Sequence, residues 1–231
     1  MIGRRLLYAA SLIVLALCTR DVASPLVASA GGGTAQTVIW PGGLIAYGVS
    51  ADGSVVVGRG SGFRWTAAGG LQNLGDFGAF GGSTAYSVSA DGSVVVGEAS
   101  APLSQSHAFR WTVADGMHDL GTFGGIYSAA YSVSADGSVV VGKSDDATGN
   151  ARPFRWTAAT GMQDLGGPNG YALDVSADGS VVVGYAFDVS GNYHPFRWTA
   201  AGGMQVLAPF GRAFGVSADG SVVVGTNRVH R

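Results

Sequence analysis

Cysteine is nearly absent: Cys18 is the one cysteine in 231 residues, and it sits in the N-terminal "LALC". Disulfides therefore cannot hold the rest of the chain together, and packing must do so. Charge is sparse too, with 13 Lys and Arg against 15 Asp and Glu. A balance of that kind leaves no electrostatic footprint for nucleic acid. The four histidines, His107, His118, His194 and His230, are scattered, and no zinc-site spacing, P-loop, nucleophile elbow or dinucleotide fingerprint occurs. The apolar run "LLYAASLIVLALC" is too short to span a bilayer comfortably.

That run follows "MIGRR" and precedes "VASA", the order of an export leader: positive, apolar, then a small-residue site. Residues 1–30 are expected to be removed before Gly31, leaving ten cationic and fourteen acidic side chains, a net charge near −4, and no cysteine. Leu17 stands where a lipoprotein box has a small residue, which argues against a lipid anchor. The expected location is exported: extracellular, periplasmic or cell-surface.

Glycine is abundant, at 39 residues, and so are valine and large aromatics, the composition of a β-rich globular chain. The decapeptide "VSADGSVVVG" starts at Val49 and recurs at Val88, Val133, Val175 and Val216. A unit of roughly 40 residues with several short strands signals a propeller or related array. In the second copy four strand-like runs are legible, "AYSVS", "SVVVGEA", "HAFRWT" and "GMHDLG", with Asp-Gly turns joining the first two and the last two. The "VVV" of the second run is apolar on both faces, so both sides of its sheet must be covered. Blades stacked side by side supply that cover.

The tryptophans, Trp40, Trp65, Trp111, Trp156 and Trp198, share the third-strand position and are expected as repeated core anchors. Arg64, Arg110, Arg155 and Arg197 of "FRW" are expected to pair with turn aspartates or stack on neighbouring aromatics. "TVIW" and "PGGLIA" near the start match a third and fourth strand, while the chain after Val216 completes a first and second. Together they predict an all-β fold: a β-propeller of four-stranded antiparallel blades, five in number, closed by the N- and C-terminal segments. The repeat domain then spans 37–225 as a monomer.

The combination of "HAFRWT" (His107–Thr112), "GMHDLGTFGG" and "VSADGSVVVG" resembles the HAF-repeat family of predicted extracellular repeat proteins, over nearly all of residues 37–225. The eponymous triplet is intact once, with "SGF", "RPF" and "HPF" elsewhere. The resemblance implies export, and some relatives look like passenger regions; it carries no general biochemical activity.

Departures from the repeat point to function better than its constants do. The segments after the second strand differ between copies: "EASAPLSQSHA", "KSDDATGNARP" and "YAFDVSGNYHP". Variable loops on a rigid scaffold are a common location for binding. The candidate ligand-binding residues are Asp145, Asp146, Asn150, Tyr185, Asp188, Asn192, Tyr193 and His194. "DATGN" and "DVSGN" place oxygens at alternate positions, as a partial calcium loop would, but they lack its later bidentate acid, and a polar Asx turn explains them equally. No catalytic residue and no cofactor are expected, calcium being the one alternative. The expected function is an exported, non-enzymatic module that binds a glycan, surface polymer or protein through one loop face. A hydrolase of an extracellular polymer and a structural surface passenger are the alternatives.

Overall fold

The computed structural model describes residues 43–79 and 81–227, together with the backbone of β1 (Leu26–Ser29) and β2 (Gln36–Ile39). Trp40, His230 and the leader residues before Leu26 lie outside the described residues. The chain falls into two compact units, Met1–Gly42 and Gly43–Arg231. In the first, β1 and β2 pair antiparallel, with Leu26 opposite Ile39 and Ser29 opposite Gln36.

The second unit is all-β, with no helix among the described residues. Its first repeat comprises β3 (Ile45–Val49), β4 (Val55–Arg59), β5 (Phe63–Thr66) and β6 (Gly70–Asn73). The second comprises β7 (Ser83–Val88), β8 (Val94–Ala101), β9 (Gln105–Thr112) and β10 (Gly116–Asp119). The third is β11 (Gly124–Val133), β12 (Val139–Asp146), β13 (Ala151–Thr157) and β14 (Gly161–Asp164). The fourth is β15 (Gly170–Val175), β16 (Val181–Phe187), β17 (Tyr193–Thr199) and β18 (Gly203–Val206). Each is an antiparallel meander, and β19 (Arg212–Val216) with β20 (Val223–Thr226) adds a final hairpin.

The repeated "SADGS" is a self-capping turn. In the second copy the Asp91 carboxylate accepts hydrogen bonds from Ser89 Oγ (2.6 Å), Ser93 N (3.0 Å) and Ser93 Oγ (2.8 Å), while Ser89 Oγ accepts from Val94 N (3.0 Å). The same set recurs about Asp52, Asp136, Asp178 and Asp219. Short polar side chains that bond their own backbone two residues on are the usual means of fixing such a turn. These turns also join the repeats: Ala51 N donates to Ala90 O, Ala90 N to Ala135 O, Ala135 N to Ala177 O and Ala177 N to Ala218 O, at 2.9–3.0 Å. Gly137 must be glycine twice over, since its φ is +73° and a Cβ there would meet Val94 Cγ2 of the preceding repeat at 2.4 Å.

The core lies between consecutive meanders, which explains the two-faced "VVV". Val94 and Val96 of the second repeat pack forward against Val140, Phe154 and Trp156 of the third. Val95, Phe109 and Trp111 pack backward against Val55 and Val57 of the first. Trp65, Trp111 and Trp156 are buried core anchors, and Trp198 is packed, half-buried, against the next cluster. The arginines of "FRW" do not reach the turn aspartates. Arg110 and Arg155 instead donate through Nε to the turn carbonyls of Gly137 and Gly179 in the following repeat, and Arg64 lies over the Trp111 ring at 5.9 Å.

Two expectations change here. Ile45 and Ala46, the end of "PGGLIA", are not a fourth strand; they open β3 and pair with Arg59 and Gly58. The segments expected as long variable loops are mostly strand. β8 and β9 leave only residues 102–104 as a tip, β12 and β13 leave 147–150, and β16 and β17 leave 188–192. Among the described pairings β2 is joined to β1, and β19 with β20 stands as a two-stranded sheet.

Candidate binding site

Each first strand carries a β-bulge one residue before the small residue that precedes its terminal valine. The ladder skips Tyr47, Tyr86, Tyr131, Leu173 and Phe214, leaving each as the extra residue. A bulge re-aims the side chain it frees. Because first strands of successive repeats are neighbours, the freed rings meet. Tyr47 lies 5.8 Å from Tyr86 and Tyr86 5.6 Å from Tyr131, and Tyr131 lies 6.4 Å from Tyr171, a laddered residue opposite Tyr185, centroid to centroid. The row continues through Tyr185 at 5.1 Å and Phe187 at 5.9 Å from Tyr171, and Tyr193 is 5.4 Å from Tyr185. These separations are those of favourable offset and edge contacts.

Burial raises the phenol pKa of Tyr86 and of Tyr131; the hydrogen bond that Tyr86 donates to Glu98 (2.7 Å) adds to the first, and the charge of Glu98 to the second. Burial also raises Tyr185, with Arg212 pulling the other way. All three are neutral hydroxyls at physiological pH. Cations punctuate the row: Lys143 Nζ is 5.7 Å from the Tyr171 ring, and Arg212 Cζ lies 3.8 Å from Tyr193 and 4.8 Å from Tyr185.

The two Asx-type tips flank this row. Asp146 accepts from Thr148 N, Thr148 Oγ1 and Asn150 N at 2.6–3.0 Å. Asp188 accepts from Ser190 N (2.8 Å), Asn192 N (2.9 Å) and Asn192 Nδ2 (2.9 Å), with His194 Nε2 at 3.1 Å. The Asn192 side-chain bond, followed by its backbone N–H, holds the Asp188 carboxyl well below the usual range. Asp146 is lowered in the same way, first by Thr148. Asp145 is buried on β12 with Lys143 Nζ at 3.6 Å, and Asn150 accepts from Asn169 Nδ2 at 3.1 Å.

Of the sequence-derived candidates, Tyr185, Asp188, Asn192, Tyr193 and His194 are thus gathered at one end of the fourth repeat. Asp145, Asp146 and Asn150 belong to the third. Tyr185, Tyr193 and His194 are strand residues, not loop-tip residues.

Beside Tyr193 opens a concavity of about 530 Å³, between the fourth repeat's hairpin tip and the final hairpin. Asn192, Tyr193, Phe210, Arg212, Phe214 and Asn227 line it, and no Asp or Glu does so among the described residues. Its size is that of a small-ligand site. Phe210 stacks on His194 at 5.9 Å, and Phe214 is 49% exposed. Sequence reading missed Arg212, Phe210 and Phe214. Arg212 was detectable: the equivalent positions hold Ile45, Thr84, Ala129 and Tyr171, so this first-strand position varies in every repeat and is a cation only in the last.

No family model and no curated protein matches the chain. Among solved structures, a protein described as TolB from Agrobacterium tumefaciens aligns with a TM-score of 0.55 at 15% identity, over 84% of this chain and 66% of that one. TolB from Acinetobacter baumannii aligns with a TM-score of 0.55 at 17% identity, over 80% of this chain and 49% of that one. The chain therefore spans about two thirds and about half of these neighbours. The likeness is one of fold, and the fold is β-propeller-like.

Proposed function

We propose that this chain is an exported, HAF-type repeat protein whose propeller acts as a non-enzymatic binding module. Five blades, the fifth assembled from "TVIW" and the final hairpin, make up the proposed ring. One observation carries the functional reading: the aromatic concavity beside Tyr193 has a cation and amides in its wall and no carboxylate among the described residues. Acid/base hydrolysis of a glycosidic bond needs a pair of carboxyl groups flanking the bond, whereas recognition needs an apolar surface with a few placed polar groups. The β-propeller-like fold supports the same reading, because antiparallel ladders hold the site's strands in place.

The test is a binding screen of the exported domain against glycans, surface polymers and immobilised proteins, alongside a reducing-end assay on the same polymers. The expected result is retention of a partner without cleavage, lost on Tyr193→Ala. Release of new reducing ends by the wild-type chain, abolished by a single Asp or Glu substitution, would replace this reading with that of a hydrolase.

A further inference from the structure

We propose that the concavity beside Tyr193 recognises a carboxylated saccharide, a uronic-acid unit of an acidic polymer, with Arg212 as the carboxylate-binding residue; this rests on the binding reading above. The guanidinium of Arg212 lies over the Tyr193 ring, its Cζ 3.8 Å from that ring's centroid and 4.8 Å from that of Tyr185. Stacking occupies the faces of the guanidinium plane and leaves its N–H donors at the edge. Those donors match a carboxylate in bidentate fashion. Among the described residues no Asp or Glu forms an ion pair with Arg212, so the cation is held over the two rings with no carboxylate paired to it there.

The rest of the wall selects the kind of anion. One guanidinium among the described lining residues, in a chain with more acidic than basic groups, suits a monoanionic carboxylate better than a phosphate, which carries more charge and is normally met by several donors or cations. Phe214 is 49% exposed, and a ring of that kind offers a flat apolar surface to the C–H face of a pyranose. Asn192 is pinned by the hydrogen bond of its Nδ2 to Asp188, which leaves its Oδ1 as an oriented acceptor for a sugar hydroxyl. Asn227 and Thr226 complete the polar part of the lining. A fatty acid would leave those groups unpaired, at a cost.

The experiment titrates the full chain with tetragalacturonate, its methyl ester and a neutral galactotetraose, by calorimetry, with Arg212→Gln and Arg212→Lys as variants and thermal melts of each. Expected are binding of the acid, weakening of at least tenfold on esterification and on Arg212→Gln, and partial recovery with Arg212→Lys. If Arg212→Gln does not fold, esterification of the ligand reads the same contact with the protein unchanged. Equal binding of acid, ester and neutral sugar overturns the carboxylate assignment and keeps the binding function. Failure to bind any of the three, with a peptide or protein held instead in the wider screen, overturns the saccharide and likewise keeps the function. A folded domain that holds nothing in either screen overturns both.

Discussion

Asp188 commits both carboxylate oxygens to its own turn, Oδ1 to two backbone N–H groups and Oδ2 to Asn192 and His194. A calcium ion would have to displace those donors. Saturating calcium at a hundred times its Kd would raise stability by about 2.7 kcal/mol if the folded chain bound it. The expected outcome is a thermal midpoint unmoved by calcium or by chelator; a calcium-dependent rise abolished by Asp188→Asn would restore the site. The "SADGS" aspartates make a second prediction. Asp52, Asp91, Asp178 and Asp219 are lowered from 3.8 to about 2, first by the Ser hydroxyl two residues before each and then by the backbone N–H two residues after. A lowered carboxyl contributes stability that is present above its unfolded pKa and lost as pH falls through the folded one. The melting temperature should therefore hold down to about pH 4 and drop between there and about pH 2. Replacing Asp91, Asp178 and Asp219 together with Asn should lower the plateau and flatten that drop, as followed by circular dichroism.

A meander in this chain is defined by what it packs against, so its predictions concern pairs of repeats. Trp111 is 5% exposed and sits with Val95 and Phe109 against the first repeat's Val55 and Val57. Trp111→Ala should cost about 3–5 kcal/mol in a denaturant titration. Two glycines separate backbone strain from packing. Gly116 has φ +70°, and a Cβ added there would meet nothing within 4 Å, so Gly116→Ala should cost only the left-handed penalty, about 1–2 kcal/mol. Gly137 has nearly the same φ but faces Val94 Cγ2 at 2.4 Å across the repeat boundary, so Gly137→Ala should cost about 1–3 kcal/mol more. Equal losses at the two positions would mean that the boundary is looser than its geometry. The strands of each meander were legible because period-two patterning and Asp-Gly turns are local signals: "AYSVS" through "GMHDLG" overlap β7 to β10, overrunning their ends by one or two residues. The extent of β12 and β16 was not, since polar residues in "KSDD" read as loop until the Asx tips close the hairpins beyond them. The aromatic row was invisible for a related reason. A bulge is a mismatch between two strands, and no single strand's pattern displays where Tyr86 or Tyr131 will point. Tyr185, Asn192 and Tyr193 were found through their variability, while Arg212 was passed over because variability was sought in the segments after each second strand, and Arg212 lies in a first strand.

At the scale of the whole molecule the question is what covers the last wedge. Val222 and Val224 are 56% and 59% exposed, where their counterparts Val94 and Val96 in the second repeat are 3% and 0%. In the interior repeats a second strand is always followed by a third, with Val95 opposite Trp111 and Gly97 opposite Phe109. The final hairpin has no such strand after it among the described residues, and β20 is left with an open edge. An open, apolar strand edge invites association with another chain. A fifth blade completed by "TVIW", the closure proposed above, would relieve this. Because Ile45 and Ala46 belong to β3, a clean test must spare them, so the deletion is Thr37–Gly42. The expected outcome is a monomeric parent and a truncation that oligomerises in light scattering and melts lower, with the shift reproduced in direction by Trp40→Ala alone. A truncation that stays monomeric with an unchanged midpoint would show the closed ring to be wrong, and an open stack of four meanders and a hairpin would then be the architecture in solution.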